Sequence, residues 1–135
     1  MTAQQRVSDG RIARRVMKLT SFERGFMNSS RHARHTRRTA LDLFEHIELP
    51  QQPACLEIGC GQGALARLLV ERFDARVTAT DYDPQQVAVA RERLGDLEGK
   101  VELHVVDARA MPFDGAQFHA VFSFGILHHI LRGWR

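Results

Sequence analysis

The chain has 135 residues, of which 44% are apolar and 26% are charged, a length and composition that indicate one small globular domain and exclude a disordered or fibrous protein. Two cysteines are too few for a disulfide framework, and no apolar run is long enough for a membrane span or a secretory signal. We therefore expect a soluble, cytoplasmic domain.

Charge is distributed unevenly along the chain. Residues 1–38 hold ten Lys or Arg against two acids, whereas residues 39–135 hold nine against fourteen. We therefore divide the chain into a basic N-terminal arm, 1–38, and an acidic domain, 39–135. The composition of this arm favours a solvated, partly helical extension. RNA binding or a transit peptide are the less favoured interpretations, and no membrane partner is expected.

Two helices are predicted in the N-terminal part of the chain. One covers Arg11–Leu19, and a second begins near Arg31, where Ser29 or Ser30 can cap its N-terminus. Apolar residues of the second helix recur at spacings of three and four, which is typical of one buried face; they are Ala40, Leu41, Phe44 and Ile47. Pro50 ends this pattern.

From residue 54 onward, strand patterns alternate with helix patterns. The predicted strands are Ala54–Ile58, Arg76–Thr80, Val101–Val106 and Gln117–Ser123. The predicted helices are Gly61–Phe73, a segment that begins at Pro84 with Asp83 as its cap, and Gly125–Arg132. The inward face of the helix at Pro84 is expected to carry Val87, Ala88, Ala90 and Leu94. This alternation predicts an α/β fold, a Rossmann-like parallel sheet with flanking helices.

A glycine-rich segment, 59–63, lies where the first strand turns into a helix. Glycine permits a tight turn and lets a ligand approach bare backbone, and the helix start suits an anionic group. Acids stand at three strand ends: Glu57, Asp81 and Asp107. Because the carboxyl ends of parallel strands meet at one edge, we expect these acids to converge on one crevice. There Asp81 can accept both hydroxyls of an adenosine ribose.

Residues 54–131 resemble the class I S-adenosylmethionine-dependent methyltransferases, above all those that act on small molecules. The segments that carry the resemblance are Cys55–Gly63 (first motif), Asp81–Pro84 (ribose-binding strand end), Asp107–Phe113 (adenine-binding segment) and Phe122–His129 (fourth strand and the loop beyond). The order and spacing of all four match. The resemblance therefore implies an enzyme that uses S-adenosylmethionine as cofactor.

The resemblance also assigns residues to the methionine end of the cofactor. Gly59, Gly61 and Gly63 would lie against the methionine part, and Glu57 would fix that loop and its bound water. The backbone near Ser123 would meet the methionine amino group.

A second set of residues would hold the adenosine end. Asp81 would bind the ribose hydroxyls, and Tyr82 would flank the adenine. Asp107 would accept a hydrogen bond from the adenine amino group, while the N–H of Ala108 would meet a ring nitrogen.

NAD is the alternative cofactor, because Gly59-x-Gly61-x-x-Ala64 also fits the dinucleotide pattern. Glu57 inside the motif, and the Pro112-Phe113 pair that follows Asp107, favour the methyl donor.

The residues identify no obligatory catalytic group and no metal ligands. His128 and His129 follow the fourth strand, where one of them could serve as general base for a hydroxyl acceptor; a packed or solvated histidine is the alternative. Signatures of base methylation are absent, which favours a small-molecule acceptor. An RNA acceptor gripped by the arm, or a non-catalytic cofactor-binding fragment that acts with a partner, are the alternatives.

The sheet of a complete family member has seven strands, and four are predicted here. The resemblance therefore implies a domain truncated after the fourth strand. An apolar strand at a sheet edge is a template for pairing with another chain. We expect a homodimer, or another association, through this edge.

Overall fold

A computed structural model describes residues 30–124. Its elements are α1 (Ser30–Phe44), β1 (Ala54–Ile58), α2 (Ala64–Phe73), β2 (Arg76–Asp81), α3 (Pro84–Arg93), a 3₁₀ turn (Gly95–Leu97), β3 (Val101–Val105) and β4 (Ala120–Ser123). The helices predicted at Arg11–Leu19 and Gly125–Arg132 lie outside the described residues. Within the described range, no helix is long and apolar enough to cross a membrane.

The four strands form one parallel sheet in the order β3-β2-β1-β4. The chain moves outward from β1 to β3 and then returns to the other side of β1. Glu57 of β1 consequently lies between Ala79 of β2 and Phe122 of β4. A ligand crevice forms where the strand order reverses in this way. The Rossmann-like α/β prediction is confirmed.

An aromatic cluster joins α1 to the sheet. The ring of Phe44 meets that of Phe73 edge-on at 5.0 Å and that of Phe122 at 6.1 Å. Leu65 and Leu69 of α2 are fully buried against the same core. These contacts fix α1 beside α2, so the N-terminal turns of α1 are held over the carboxyl edge of the sheet.

The N-terminal ends of α2 and α3 are determined by their capping residues. The carboxylate of Asp83 accepts the N–H of Gln85 at 3.0 Å, and Pro84 occupies the first turn of α3, as predicted. Gly63 is the N-terminal cap of α2, with φ 91°. Because this conformation is left-handed, α2 begins at Ala64 and not at the predicted Gly61.

Some predicted helix-face positions are wrong. Leu41 is 37% exposed, and Ile47 lies beyond the end of α1 at Phe44, although it packs half-buried against the core. Within α1 only Ala40 and Phe44, four residues apart, are buried, so the apolar face of this helix is narrow. In α3, Ala88 is exposed while Gln86 is buried. The inward face runs through Val87, Ala90 and Leu94, and a turn of 100° per residue places Ala88 outside it.

Strand ends also shift by one to three residues. β2 extends to Asp81, β3 ends at Val105, and β4 begins at Ala120. Before β4, the ring of His119 accepts the N–H of Ala54 at 2.9 Å, and the N–H of His119 donates to the Ala54 carbonyl at 2.8 Å. These bonds align the starts of β4 and β1. Among the described strands, β4 pairs with β1 alone.

Candidate functional site

The glycine-rich loop is folded against the end of β2. The N–H groups of Gly59 and Cys60 both donate to the carbonyl of Thr80, each at 2.8 Å, and the N–H of Gly63 donates to the Cys60 carbonyl at 2.9 Å. Gly59, Gly61 and Gly63 have φ values of 78°, 53° and 91°. Side chains other than glycine rarely adopt this region, so the loop conformation requires these glycines.

Gly63 and Gly61 face different surroundings. A Cβ atom built on Gly63 would lie 2.5 Å from Cδ1 of Leu94, whereas one built on Gly61 would meet nothing within 4 Å. Gly63 therefore allows the start of α2 to approach the end of α3. Gly61 leaves open space beside the cavity described below, where a ligand can approach its backbone.

Asp81 connects this loop to the second strand. Its Oδ2 accepts the N–H of Gly61 at 2.9 Å, and its Oδ1 accepts the N–H of Asp83 at 2.9 Å. Burial raises the pKa of Asp81, and backbone hydrogen bonds from Asp83, Gly61 and Tyr82 oppose that rise. A carboxylate has about four acceptor positions, so three backbone donors leave about one for a further donor such as a hydroxyl group.

Glu57 lies beneath the loop and is 4% exposed. Its carboxylate accepts the backbone N–H of Ala66, while Oε2 has no hydrogen-bond partner among the described residues. Burial, reinforced by the nearby Asp81, raises the pKa of Glu57 to about 8. A buried carboxylate oxygen without a partner is costly. A cation or N–H donor bound in the cavity would satisfy it.

A cavity of about 120 Å³ brings these groups together. Its lining residues are His32, Ala33, Thr36, Glu57, Gly59, Cys60, Gly61, Gln62, Ala64, Leu65, Asp81, Gln86, Arg93 and Phe124. The cavity is bounded by α1, the glycine loop and the end of β2. Burial raises the pKa of the Cys60 thiol, so this cysteine stays protonated.

Sequence analysis missed the contribution of α1. His32 and Thr36 are half-buried and line the cavity, although both fall within the predicted basic arm. Their register was available as a signal, because both lie at four-residue spacing from the buried Ala40 and Phe44. The helix runs across the proposed boundary at residue 38. The division into arm and domain stays a prediction based on charge.

Asp107 lies at the same edge of the sheet but is not among the cavity-lining residues. Its carboxylate is held by Arg109, with Nε–Oδ1 at 3.0 Å and Nη2–Oδ2 at 2.6 Å, and Oδ1 also accepts the backbone N–H of Arg109 at 2.9 Å. These contacts lower the pKa of Asp107. The expected convergence of three acids therefore holds for Glu57 and Asp81 and does not extend to Asp107, which follows β3, two strands away from β1.

The other predicted site residues lie near this edge or outside the described range. Tyr82 and Ala108 are half-buried just after β2 and β3. Ser123 ends β4, and its Oγ is buried without a hydrogen-bond partner among residues 30–124. His128 and His129 lie outside the described residues. Within those residues, no group of three or more His, Cys, Asp or Glu side chains could hold a metal ion.

The fold and the site define a Rossmann-like domain with a glycine-lined cavity and acids at its strand ends. The family model described as a methyltransferase domain matches residues 55–134, more than half of the chain. The chain therefore belongs to the methyltransferase family, as the sequence resemblance predicted.

Named relatives agree with this assignment. A probable fatty acid methyltransferase of Pseudomonas putida is 34% identical over 66% of this chain and 24% of its own length. Trans-aconitate 2-methyltransferase of Streptomyces avermitilis is 38% identical over 62% of this chain and 35% of its own length. The present chain thus spans between a quarter and about a third of these relatives.

A solved structure extends the comparison to three dimensions. Phosphoethanolamine N-methyltransferase 2 of Haemonchus contortus, in complex with phosphomonomethylethanolamine and S-adenosylhomocysteine, superposes with a TM-score of 0.64. The two chains are 28% identical, over 69% of this chain and 22% of the other.

Proposed function

We propose that the protein is an S-adenosylmethionine-dependent methyltransferase and that the cofactor occupies the cavity between α1 and the glycine loop. One observation carries this proposal: the unpartnered Oε2 of Glu57 and the carboxylate of Asp81, which retains about one acceptor position, border the same cavity. S-adenosylmethionine carries a sulfonium, an ammonium and two ribose hydroxyls, so its donors and charge complement these acids.

The glycine loop and Glu57 would hold the methionine end of the cofactor. Gly59 and Gly61 let the ligand approach bare backbone, while Gly63 lets the loop pack against Leu94. Glu57 would supply negative charge below the ligand once a bound cation favours its ionised form. The backbone at Ser123, at the adjacent strand end, is proposed to meet the methionine amino group. When bound, the cofactor supplies the reactive methyl group. The task of the protein is then to align the acceptor and exclude water.

Asp81 would bind the ribose hydroxyls, because backbone donors already orient its carboxylate at the edge of the cavity. Tyr82 would flank the adenine, the N–H of Ala108 would meet a ring nitrogen, and Asp107 would accept from the amino group. The acidic strand end that binds a ribose is shared with NAD enzymes. The unpartnered Glu57 at the methionine end favours the sulfonium cofactor over NAD.

We infer a small-molecule acceptor. The relatives reported above are named for a fatty acid, trans-aconitate and phosphoethanolamine, all small molecules. α1 forms one wall of the cavity through His32 and Thr36, so it would separate the methyl group from solvent. General-base catalysis by His128 or His129 remains a prediction from sequence.

An RNA acceptor is a second candidate, supported by four exposed arginines of α1, namely Arg31, Arg34, Arg37 and Arg38. Phosphate contacts by such a set make binding strongly salt-dependent. Filter binding of a single-stranded RNA at low salt, with the native chain and the fourfold Ala variant, decides this point. RNA retention lost in the variant would favour an RNA acceptor, and no retention by the native chain would exclude it.

Calorimetric titration tests the proposed cofactor. We expect the native chain to bind S-adenosylmethionine and S-adenosylhomocysteine, and NAD not to compete. Asp81→Ala should weaken binding at least about tenfold, as loss of hydrogen bonds to a charged group predicts. Asp114→Ala, at an exposed acid outside the cavity, is the matched control. Binding without methyl transfer to any tested acceptor would instead favour a cofactor-binding fragment that acts with a partner.

A further inference from the structure

The strands of the sheet are held at their amino ends by polar contacts of two kinds. Before β2 and β3, the ammonium group of Lys100 pairs with the carboxylate of Asp74, to which Nε2 of Gln52 also donates at 2.9 Å. Before β4, the contact is made by a histidine. Nδ1 of His119 accepts the N–H of Ala54 at 2.9 Å, and the N–H of His119 donates to the Ala54 carbonyl at 2.8 Å. Two reciprocal hydrogen bonds therefore join the start of β4 to β1.

The direction of the bond from Ala54 determines the state of the histidine ring. A backbone N–H can only donate, so Nδ1 of His119 must carry a lone pair, and the neutral ring carries its hydrogen on Nε2. Protonation of the ring would place a hydrogen on Nδ1, so that two donors face each other and the bond is lost. Carboxylates and ammonium groups ordinarily keep their charge between pH 5 and 8, whereas histidine changes its charge within that range.

The charged groups around His119 do not compensate for its protonation. The ring is exposed, and no ion pair of residues 30–124 includes it. The charged residue closest by strand register is Arg76 of β2, which pairs with Ala54 and is itself positive. The other titratable residues in the segments that adjoin the starts of β1 and β4 are Asp42, Glu45, His46, Glu48 and Asp114. Protonation would therefore remove the bond from Ala54 without forming an ion pair in exchange.

We propose that His119 is a pH-sensitive switch in the pairing of β4: its neutral ring holds the start of β4 on β1, and its protonation breaks that contact. Among the described strands, β4 pairs with β1 alone, so no second neighbour holds it in place. β4 places Phe122 opposite Glu57, and Phe124, which follows β4 directly, lines the cavity. Acid would therefore loosen a strand that borders the cavity. The inference concerns strand pairing and does not require the proposed cofactor.

Hydrogen exchange of backbone amides, followed by NMR on the ¹⁵N-labelled full chain at about pH 7.5 and about pH 5, measures this contact directly. Conversion of the rates into protection factors removes the intrinsic effect of pH on exchange. We expect the protection of the Ala54 amide to fall at least about threefold at the lower pH, as the loss of one hydrogen bond predicts. The amide of Arg76, which donates to the Pro53 carbonyl at 2.9 Å on the other side of β1, should keep its protection. Because a change in global stability affects both amides, Arg76 is the internal control.

Three variants distinguish the ring of His119 from other titrating groups. His119→Asn places an amide oxygen near the position of Nδ1 and cannot titrate, so the protection of Ala54 should be equal at both pH values. His119→Ala removes the acceptor, so the protection of Ala54 should already be low at about pH 7.5. His46→Asn, at an exposed histidine between α1 and β1, should retain the native fall.

Three results would overturn the switch. They are equal protection of Ala54 in the native chain at both pH values, a fall that Arg76 shares, and a fall in His119→Asn as large as the native one. Should His119→Asn fail to fold, as judged by its thermal melt, His119→Asp supplies an acceptor that is ordinarily ionised at both pH values. Constant protection of Ala54 in His119→Asp then supports the switch, and a fall of native size contradicts it.

Discussion

Asp81 accepts the backbone N–H of Gly61 at 2.9 Å across a separation of 20 residues. This hydrogen bond joins the end of β2 to the loop that follows β1, where the order of strands reverses. One carboxylate thus orients the glycine loop and borders the cavity. A ligand bound at Asp81 would therefore be coupled to the conformation of the loop.

We predict that Gly63→Ala destabilises the chain more than Gly99→Ala. Both glycines have a φ near 90°, but a Cβ on Gly63 would meet Leu94 at 2.5 Å, while one on Gly99 meets nothing within 4 Å. The shared backbone strain costs about 1–3 kcal/mol, and overpacking at Gly63 adds about 1–3 kcal/mol. Urea unfolding measures the difference. Equal losses in the two variants would show that Leu94 moves aside.

Thr36 should control access to the cavity. Thr36→Phe places a ring in a space of about 120 Å³, so we expect at least about tenfold weaker binding of S-adenosylhomocysteine by calorimetry. Thr39→Phe adds the same ring at an exposed position of α1 and should leave binding unchanged. Native affinity in Thr36→Phe would mean that the cofactor does not use this part of the cavity.

Glu57 should make stability depend on pH. Its pKa is raised from 4.5 to about 8 in the folded chain, so between these values the folded state holds a proton that the unfolded state has released. Stability then falls as pH rises through this window, by up to about 1.4 kcal/mol per pH unit. Glu57→Gln cannot ionise, so its unfolding free energy should fall less between about pH 5.5 and 7.5.

The control for this pH series is Glu92→Gln, at an exposed position of α3, which should keep the native slope. The raised pKa of Asp81 contributes a decline of the same sign, which persists in all variants. Identical slopes in the native chain and in Glu57→Gln would contradict the account of Glu57 as a buried, protonated acid.

Among the described residues, β4 lies at the edge of the sheet, and this edge should promote self-association. Val121 is 58% exposed on this strand, and apolar edge strands pair readily with other chains. We expect a concentration-dependent dimer in sedimentation velocity, which Val121→Lys shifts to monomer. Val105→Lys places the same charge on β3, at the opposite edge, and should not dissociate a dimer built through β4. A native chain that is monomeric at every concentration would refute this prediction.

Strand polarity and motif order were predictable from sequence because they depend on local patterns. Short apolar runs followed by glycine or acid predicted Glu57, Asp81 and Asp107 at carboxyl ends of strands. In the structure Glu57 and Asp81 lie within the last two residues of β1 and β2, and Asp107 lies two residues after β3. The cap of α3 at Asp83 was equally local. These features need only backbone propensities and the rule that parallel strands end at one edge.

The remaining features depend on tertiary packing. The charge of α1 obscured its inward stripe, so His32 and Thr36 were assigned to a solvated arm although they line the cavity. Arg109 donates hydrogen bonds to the Asp107 carboxylate within a turn, and the geometry of a turn cannot be read from a repeating pattern of apolar residues. Gln86 is buried beside the glycine loop, where hydropathy alone favoured Ala88. In each case the tertiary fold, and not the local sequence pattern, determines which residues are in contact.

The central claim, that the cofactor binds between the glycine loop and Asp81, is tested most directly by amide chemical shifts. A ¹⁵N-labelled chain titrated with S-adenosylhomocysteine should show its largest shifts at Gly59, Gly61 and Tyr82. The amides of Asp74 and Lys100, which form an ion pair outside the cavity, should not move. Saturable shifts confined to the loop and the end of β2 are the predicted result. No shifts, or shifts centred on Asp74 and Lys100, would contradict the proposed site.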